Sequence, residues 1–279
     1  MTAKEYRSYA EDSTIRLPLG RLGPRWIGSL DRFVDELDES HPSAVDRVIE
    51  RLTELTRNET PSGNPPRSAS LTERAIAPCV HAARYPHLYS AHADLIRDLL
   101  GVEDEMLLDD DSVELSQRRF IRVRYVPGYL KLVALGEAIG RESAIEFTKG
   151  YLDRMIADIP APPGGPETLA EFRDRQVAFN LEEQGMDWTQ VVIDDHQYLN
   201  KVTVCRIQKV LADYEPKLMD VVACYPDFAM IRKTHPSFVL TRTQTLMNGG
   251  TCCDSCYHDA RHVTGFEHPS LAAFDGLRT

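Results

Sequence analysis

The clearest pattern of apolar and polar positions lies near the C-terminal end of the chain. From Phe238 to Met247 the residues alternate and are rich in β-branched types, which predicts a strand. Alternation places Phe238, Leu240, Arg242, Gln244 and Leu246 on one face, and Val239, Thr241, Thr243, Thr245 and Met247 on the other. Asn248-Gly249 follows and predicts a two-residue type I′ hairpin turn, which needs positive φ at both positions. That turn sets Leu246 opposite Thr251, Gln244 opposite Cys253 and Arg242 opposite Ser255. Two more strands are expected upstream, at 188–193 and 198–205; the second points Leu199, Lys201, Thr203 and Cys205 to one side.

Helical spacing accounts for much of the remainder. Val45, Val48, Ile49, Leu52 and Leu55 follow Ser43-Ala-Val-Asp46, which has the form of a capping box with Asp in place of Glu. Residues 71–100 are compatible with helix, with interruptions at Pro78 and Pro86. Two helical patterns, 130–139 and 143–159, flank Gly140, and their apolar faces are expected to cover one side of the sheet. Thr168 is placed to cap a helix ahead of Glu171. Short helices are expected at 206–211 and from Pro216 to Val222, and Pro226 begins another. Cys224 therefore sits near a helix N-terminus, where the dipole can favour a thiolate. Residues 58–70 and Pro160-Ala-Pro-Pro-Gly-Gly-Pro166 read as connectors, the second as the best boundary. Residues 1–30 read as an arm lying on the domain, and 265–279 as a surface segment without chemical signature.

The expected fold is α+β, with helices packed on a mainly antiparallel C-terminal sheet. Residues 1–166 form a mainly helical region sharing the core, and 167–279 an α+β region carrying the cysteine-rich hairpin.

Composition narrows the function classes. Of 279 residues, 42% are hydrophobic and 27% charged, as in an ordinary globular protein, and the net charge of −11 argues against a nucleic-acid partner held through phosphates. No apolar run reaches the roughly 18 residues of a membrane helix, and the first twelve residues are polar, so no membrane partner and a cytoplasmic location are expected. The six cysteines do not form a disulfide framework. Four crowd between Cys224 and Cys256, and free thiols in a reducing compartment are the expectation. Acidic 103–111 and basic 117–124 read as solvated faces. Cys79-x-His81 can seed a metal site, but ordinary histidines are the better reading.

The hairpin brings a thiol, an amide and a guanidinium onto one patch of sheet, a site for an anionic small molecule with an electrophilic carbon. The same residues also read as a packed cysteine and a solvated arginine. Arg242-Thr-Gln-Thr-Leu, then Gly249, then Cys253-Asp254 resembles the C-terminal signature of the L-2-amino-thiazoline-4-carboxylic acid hydrolase family. Val202-Thr-Val-Cys205 and Cys224-Tyr-Pro-Asp227 resemble two earlier segments of that family, and the resemblance spans roughly 130–258. The family usually has an aromatic residue after its Cys-Asp pair, whereas Ser255 and Cys256 stand here.

The resemblance implies a hydrolase that opens a small cyclic amidine-like substrate by C–N or C–S cleavage. Arg242 is then the carboxylate clamp, with Gln244 and Thr243 beside it in substrate binding. Cys253 is the nucleophile, Asp254 the proton-transfer group, and Cys205 and Cys224 complete the site. Strict alternation points Asp254 away from Cys253, so the two act together only across a bulge. This reading needs no cofactor. Zinc is the alternative, held by Cys253-x-x-Cys256 with His258 and His262, or by Cys205, Cys224 and Cys253 together. The other alternative is a non-catalytic small-molecule or redox-sensing module, with Cys252, Cys253 and Cys256 as its thiols. Assembly into a homo-oligomer stays open.

Overall fold

The computed structural model describes residues 2–60, 76–102, 112–160 and 164–276. The acidic stretch 103–111 lies outside the described residues, as do most of the connector 58–70 and part of 160–166. The chain forms two compact units: Met1–Glu11 with Leu152–Thr279, and Asp12–Tyr151.

The first unit is built on a five-stranded antiparallel sheet, consistent with the α+β expectation. Its strands are β1 (Thr2–Arg7), β4 (Met186–Asp194), β5 (Gln197–Cys205), β6 (Phe238–Thr241) and β7 (Cys253–Asp259), in the order β1-β4-β5-β7-β6. The other two strands, β2 (Thr14–Pro18) and β3 (Ser112–Ser116), pair in the second unit. Residues 1–30 are thus not a lying arm: Thr2 to Arg7 form an edge strand against β4, and β2 and the start of α1 (Leu19–Ser40) follow. Tyr6 stacks on buried Trp188 with ring centroids 4.5 Å apart, which gives the edge strand an apolar anchor.

The second unit packs α2 (Val45–Glu59), α3 (Pro86–Leu100) and α4 (Gln117–Ile139) together. Val45, Val48, Ile49 and Leu52 face the core as their spacing requires, while Thr56 rather than Leu55 completes the stripe. The Ser43 capping box does not form; Ala44 is the N-cap and makes no side-chain bond. Helix α4 begins at Gln117, well ahead of the expected start, because Ser116 caps it and the basic stretch supplies its first turns, with Pro127 accommodated inside. Its apolar face packs on α2 and α3. The helices on the sheet are instead α6 (Leu169–Glu183), which follows α5 (Arg141–Ala157), and α9 (Pro226–Thr234), which follows α7 (Arg206–Val210) and α8 (Pro216–Ala223). Thr168 caps α6, accepting from the Glu171 amide at 3.2 Å.

The two sheet faces differ in chemistry. On one, Leu169, Tyr198, Ile231, Phe238, Leu240 and Tyr257 form an apolar cluster with Phe172 and Phe228 beside it. On the other, Val191, Leu199 and Cys256 pack under Phe274 of α10 (Leu271–Asp275). The segment 265–276 thus carries a core residue. Among the described residues no helix is long and apolar enough to cross a membrane.

Candidate functional site

The predicted hairpin register is present. Thr241 opposes Cys256 and Phe238 opposes Asp259, the same offset that sets Arg242 against Ser255. Regular pairing nevertheless stops at Thr241, and residues 242–252 form a loop. The type I′ turn is absent, since of Asn248 and Gly249 only Gly249 has positive φ, at 81°. The loop closes instead through Gly249 N–H to Leu246 O (3.3 Å) and Gly250 N–H to Thr245 O (2.8 Å). A Cβ on Gly250 would meet Gln244 Oε1 at 2.7 Å and Thr245 O at 2.8 Å, so this position tolerates only glycine.

Asp254 gives the reason for the departure. It is fully buried. Its carboxylate accepts from the backbone N–H of Thr243 and of Gln244, both at 2.9 Å, and from the Thr243 hydroxyl at 2.5 Å. A sequence-local carboxylate thus takes amides that a plain hairpin would present to the opposite strand. The Gln244 side chain is spent in the same way: Oε1 accepts from Thr251 N and Nε2 donates to Cys252 Sγ. Thr245 donates to Asp220 and accepts from Asn248 N. In this structure Thr243 and Gln244 organise the loop.

Asp254 and Cys253 point to opposite faces, as alternation demands. His268 Nε2 lies 3.2 Å from Asp254, and its ring stacks on Phe274 of one face. Through Nδ1 it meets Thr241 Oγ1 (3.0 Å), which also meets His258 Nε2 (3.1 Å). Cys253 belongs to the other face, with Arg242. The Arg242 guanidinium sits 5.0 Å from the Phe228 ring, donates to Asp227 Oδ2 at 2.8 Å and to Cys224 O at 2.5 Å. Burial works against its charge, but Asp227 outweighs that and holds it protonated. The Arg242 side chain is 7% exposed and that of Asp227 56%, so the pair has an inner cationic and an outer anionic member.

The three cysteines suggested by the family segments gather around this pair. Cys253 feels the charges of Cys205, Arg242 and Asp227; Cys224 feels those of Asp220, Asp227, Arg242 and Cys253. Burial dominates each thiol. It pushes Cys253 up to about 12, with the Leu246 N–H (3.3 Å from Sγ) giving partial relief. Cys224 is raised well above the ordinary thiol value by burial and then by Asp220 and Asp227, so the helix start at Pro226 does not produce a thiolate. Cys205 is raised by burial despite amides from Gln208 and Ile207. Cys253 is thus a protonated thiol at pH 7. The native protein is therefore expected to show no thiol reacting with a disulfide reagent at the rate of free cysteine at pH 7, and all six reacting once denatured. A single fast thiol in the native state would contradict this picture.

Beside the pair runs a buried polar strip. Gln176 of α6 accepts through Oε1 from Tyr198 OH (3.1 Å) and Asn200 Nδ2 (3.0 Å), and donates through Nε2 to Tyr257 OH (3.0 Å). Tyr198 and Tyr257 stack at 4.6 Å. Burial pushes Tyr257 up to about 12, so it stays a neutral phenol, and its charge would couple to Asp227 and Arg242. The sequence reading assigned no role to Asp227, His268 or this strip. Asp227 stood in the quoted Cys224-Tyr-Pro-Asp227, whereas nothing local to 265–276 marks His268.

Neither cysteine grouping brings three ligand atoms within 4.8 Å of one another. Cys253 and Cys256 lie on opposite faces, and among the described residues the group whose ligand atoms lie within 4.8 Å of one another is His196, Asp259 and His262. His81 of Cys79-x-His81 pairs instead with Asp35 at 2.6 Å.

The α+β unit thus sets three cysteines around an arginine–aspartate pair, beside a loop pinned by Asp254. Residues 131–257 match the family model described as L-2-amino-thiazoline-4-carboxylic acid hydrolase, and over that segment the chain is similar to this hydrolase family. No curated protein and no solved structure matches the chain.

Proposed function

We propose that the protein hydrolyses a small cyclic amidine-like carboxylate, such as a 2-amino-thiazoline carboxylate, at the face of the sheet carrying Cys253. The observation that carries this reading is the convergence of Cys253, Cys224, Cys205, Arg242 and Asp227 within the segment matched to the hydrolase family.

The arrangement supplies a route to activation. An incoming carboxylate takes the Arg242 fork from Asp227, the exposed member of the pair. Asp227, freed from the guanidinium, accepts the Cys253 proton. The thiolate adds to the amidine carbon, and the ring C–S or C–N bond breaks as its electron pair leaves on sulfur or nitrogen, which takes up the proton. Water then attacks the same carbon and returns the Cys253 thiol, so one water is consumed per turnover. Resting thiols that stay protonated fit a site that becomes reactive only when occupied.

The test is ring opening of 2-amino-thiazoline-4-carboxylate by the purified chain. Wild-type turnover is expected. Cys253→Ala should lower kcat/KM by at least about 10³-fold, and Arg242→Lys should act mainly by raising KM, because an ammonium cannot hold a carboxylate bidentately. Undiminished turnover by Cys253→Ala would remove the nucleophile assignment. Tight binding of the carboxylate without turnover would favour the non-catalytic binding module.

A further inference from the structure

We infer that His196, Asp259 and His262 form a binding site for a borderline divalent cation such as Zn²⁺, separate from the cysteine face. This inference does not rest on the proposed hydrolase reading. Asp259 is the last residue of β7, roughly 20 Å along the strand from Cys253.

The three residues are held by backbone that is already fixed. His196 lies in the turn between β4 and β5, and its N–H donates to Asp194 Oδ1 at 2.7 Å. Its carbonyl accepts from Asp259 N–H at 2.9 Å, which ties the turn to the end of β7. His262 N–H in turn donates to Asp259 O at 3.0 Å, closing a tight turn that brings its ring over His196. The two imidazoles stack with centroids 3.9 Å apart, 19° from parallel, and the Asp259 side chain is 2% exposed. One ligand atom from each residue lies within 4.8 Å of the others.

Two imidazoles and a carboxylate are a donor set suited to zinc, with a fourth position for water. A tetrahedral ion with bonds of about 2.0–2.1 Å spaces its ligands about 3.3 Å apart. Closing the site takes a contraction of at most roughly 1.5 Å and a rotation of exposed His262 out of its stack on His196, which turns its in-plane lone pair toward the ion. The competing occupant is Arg261, whose Nε and Nη2 both contact the Asp259 carboxylate while Nη2 also donates to Glu167 O. That guanidinium side chain is 41% exposed, so it can release one carboxylate oxygen to an ion at little steric cost. The bound ion would pin the β4–β5 turn to the segment leaving β7.

The experiment is titration of the reduced full chain with Zn²⁺ by calorimetry and with Co²⁺ by absorption, for wild type, His196→Ala, His262→Ala and Arg261→Ala. The cobalt spectrum matters because six thiols offer rival ligands, and sulfur ligation adds a thiolate charge-transfer band that nitrogen and oxygen ligands lack. Expected are one equivalent bound without that band, at least a tenfold loss of affinity in each histidine variant, and a Zn²⁺-dependent rise in Tm that both variants abolish. Arg261→Ala should bind several-fold more tightly, because the cation competing for Asp259 is gone. No uptake at micromolar Zn²⁺, a thiolate band that survives both histidine substitutions, or unchanged affinity in Arg261→Ala would each overturn the three-residue site.

Discussion

Asp254→Ala is expected to destabilise the sheet-bearing unit by about 3–5 kcal/mol, the range for removing one member of a buried, multiply bonded polar group. The Asp254 carboxylate is fully buried and takes two backbone amides and one hydroxyl from Thr243 and Gln244. Its loss leaves those donors without their acceptor beside the cavity the carboxylate vacates. Asp254→Asn keeps one carbonyl oxygen for the two amides, and its NH₂ can donate to the Thr243 hydroxyl, so a cost of roughly 1–2 kcal/mol is expected. The measurement is urea unfolding followed by fluorescence in a Trp26→Phe background, so that Trp188, buried in this unit, is the reporter. An alanine variant within 1 kcal/mol of its parent would show that the loop does not depend on this carboxylate. On the proposed hydrolase reading Asp254 acts only through the loop, so the asparagine variant is expected to keep its substrate KM more nearly than its kcat.

The second large effect concerns Lys131, a buried amine in the helical unit. Its Nζ lies 3.2 Å from the Ser29 carbonyl and 3.4 Å from the Ser29 hydroxyl, and 5.3 Å from the Phe33 ring. Burial pushes it down to about 7 from 10.5. Nearby His92 is pushed down to about 3, by burial first and Lys131 second. The unfolded chain protonates Lys131 at its ordinary value, so between pH 7 and 10.5 the unfolded state binds more protons than the folded one. Stability from this group therefore rises with pH across that window, and the full penalty, roughly 4–5 kcal/mol, applies at and below its lower end. The buried thiols run the opposite way above pH 9, since their folded values are raised. The window that isolates Lys131 is thus pH 7 to about 8.5, where roughly 2 kcal/mol of the penalty is relieved. Lys131→Met, close in volume and uncharged, should be more stable than wild type at pH 7 and should flatten the slope. Parallel pH profiles for the two proteins would show that the ammonium is solvated in the folded state.

Much of the candidate site was legible because its information is local. The alternation from Phe238 onward and the offset across Asn248-Gly249 gave the correct strand register. The same alternation separated Cys253 from Asp254. The cysteine segments resembling the hydrolase family lie near one another around Arg242. Helix starts at Thr168, Pro216 and Pro226 followed from capping and fixed φ, which act within one turn.

Other features depended on contacts distant in sequence. The first residues form a strand only because β4 offers an open edge some 180 residues away. Helix α4 packs on α2 and α3, where periodicity alone could not choose a partner. The thiol of Cys224 stays protonated because burial outweighs a helix start, and burial is a property of the packed fold.

The sequence by itself determined the α+β class, the register around the signature loop and the identity of its chemical groups, since these rest on residue spacing and turn chemistry. The tertiary structure decided what each group does. It turned Thr243, Gln244 and Asp254 into a mutual scaffold, paired Arg242 with Asp227, and brought His268 to Asp254 from a segment without local signature. Hydrogen bonding and desolvation are set by which atoms become neighbours, and that is fixed only when the chain packs.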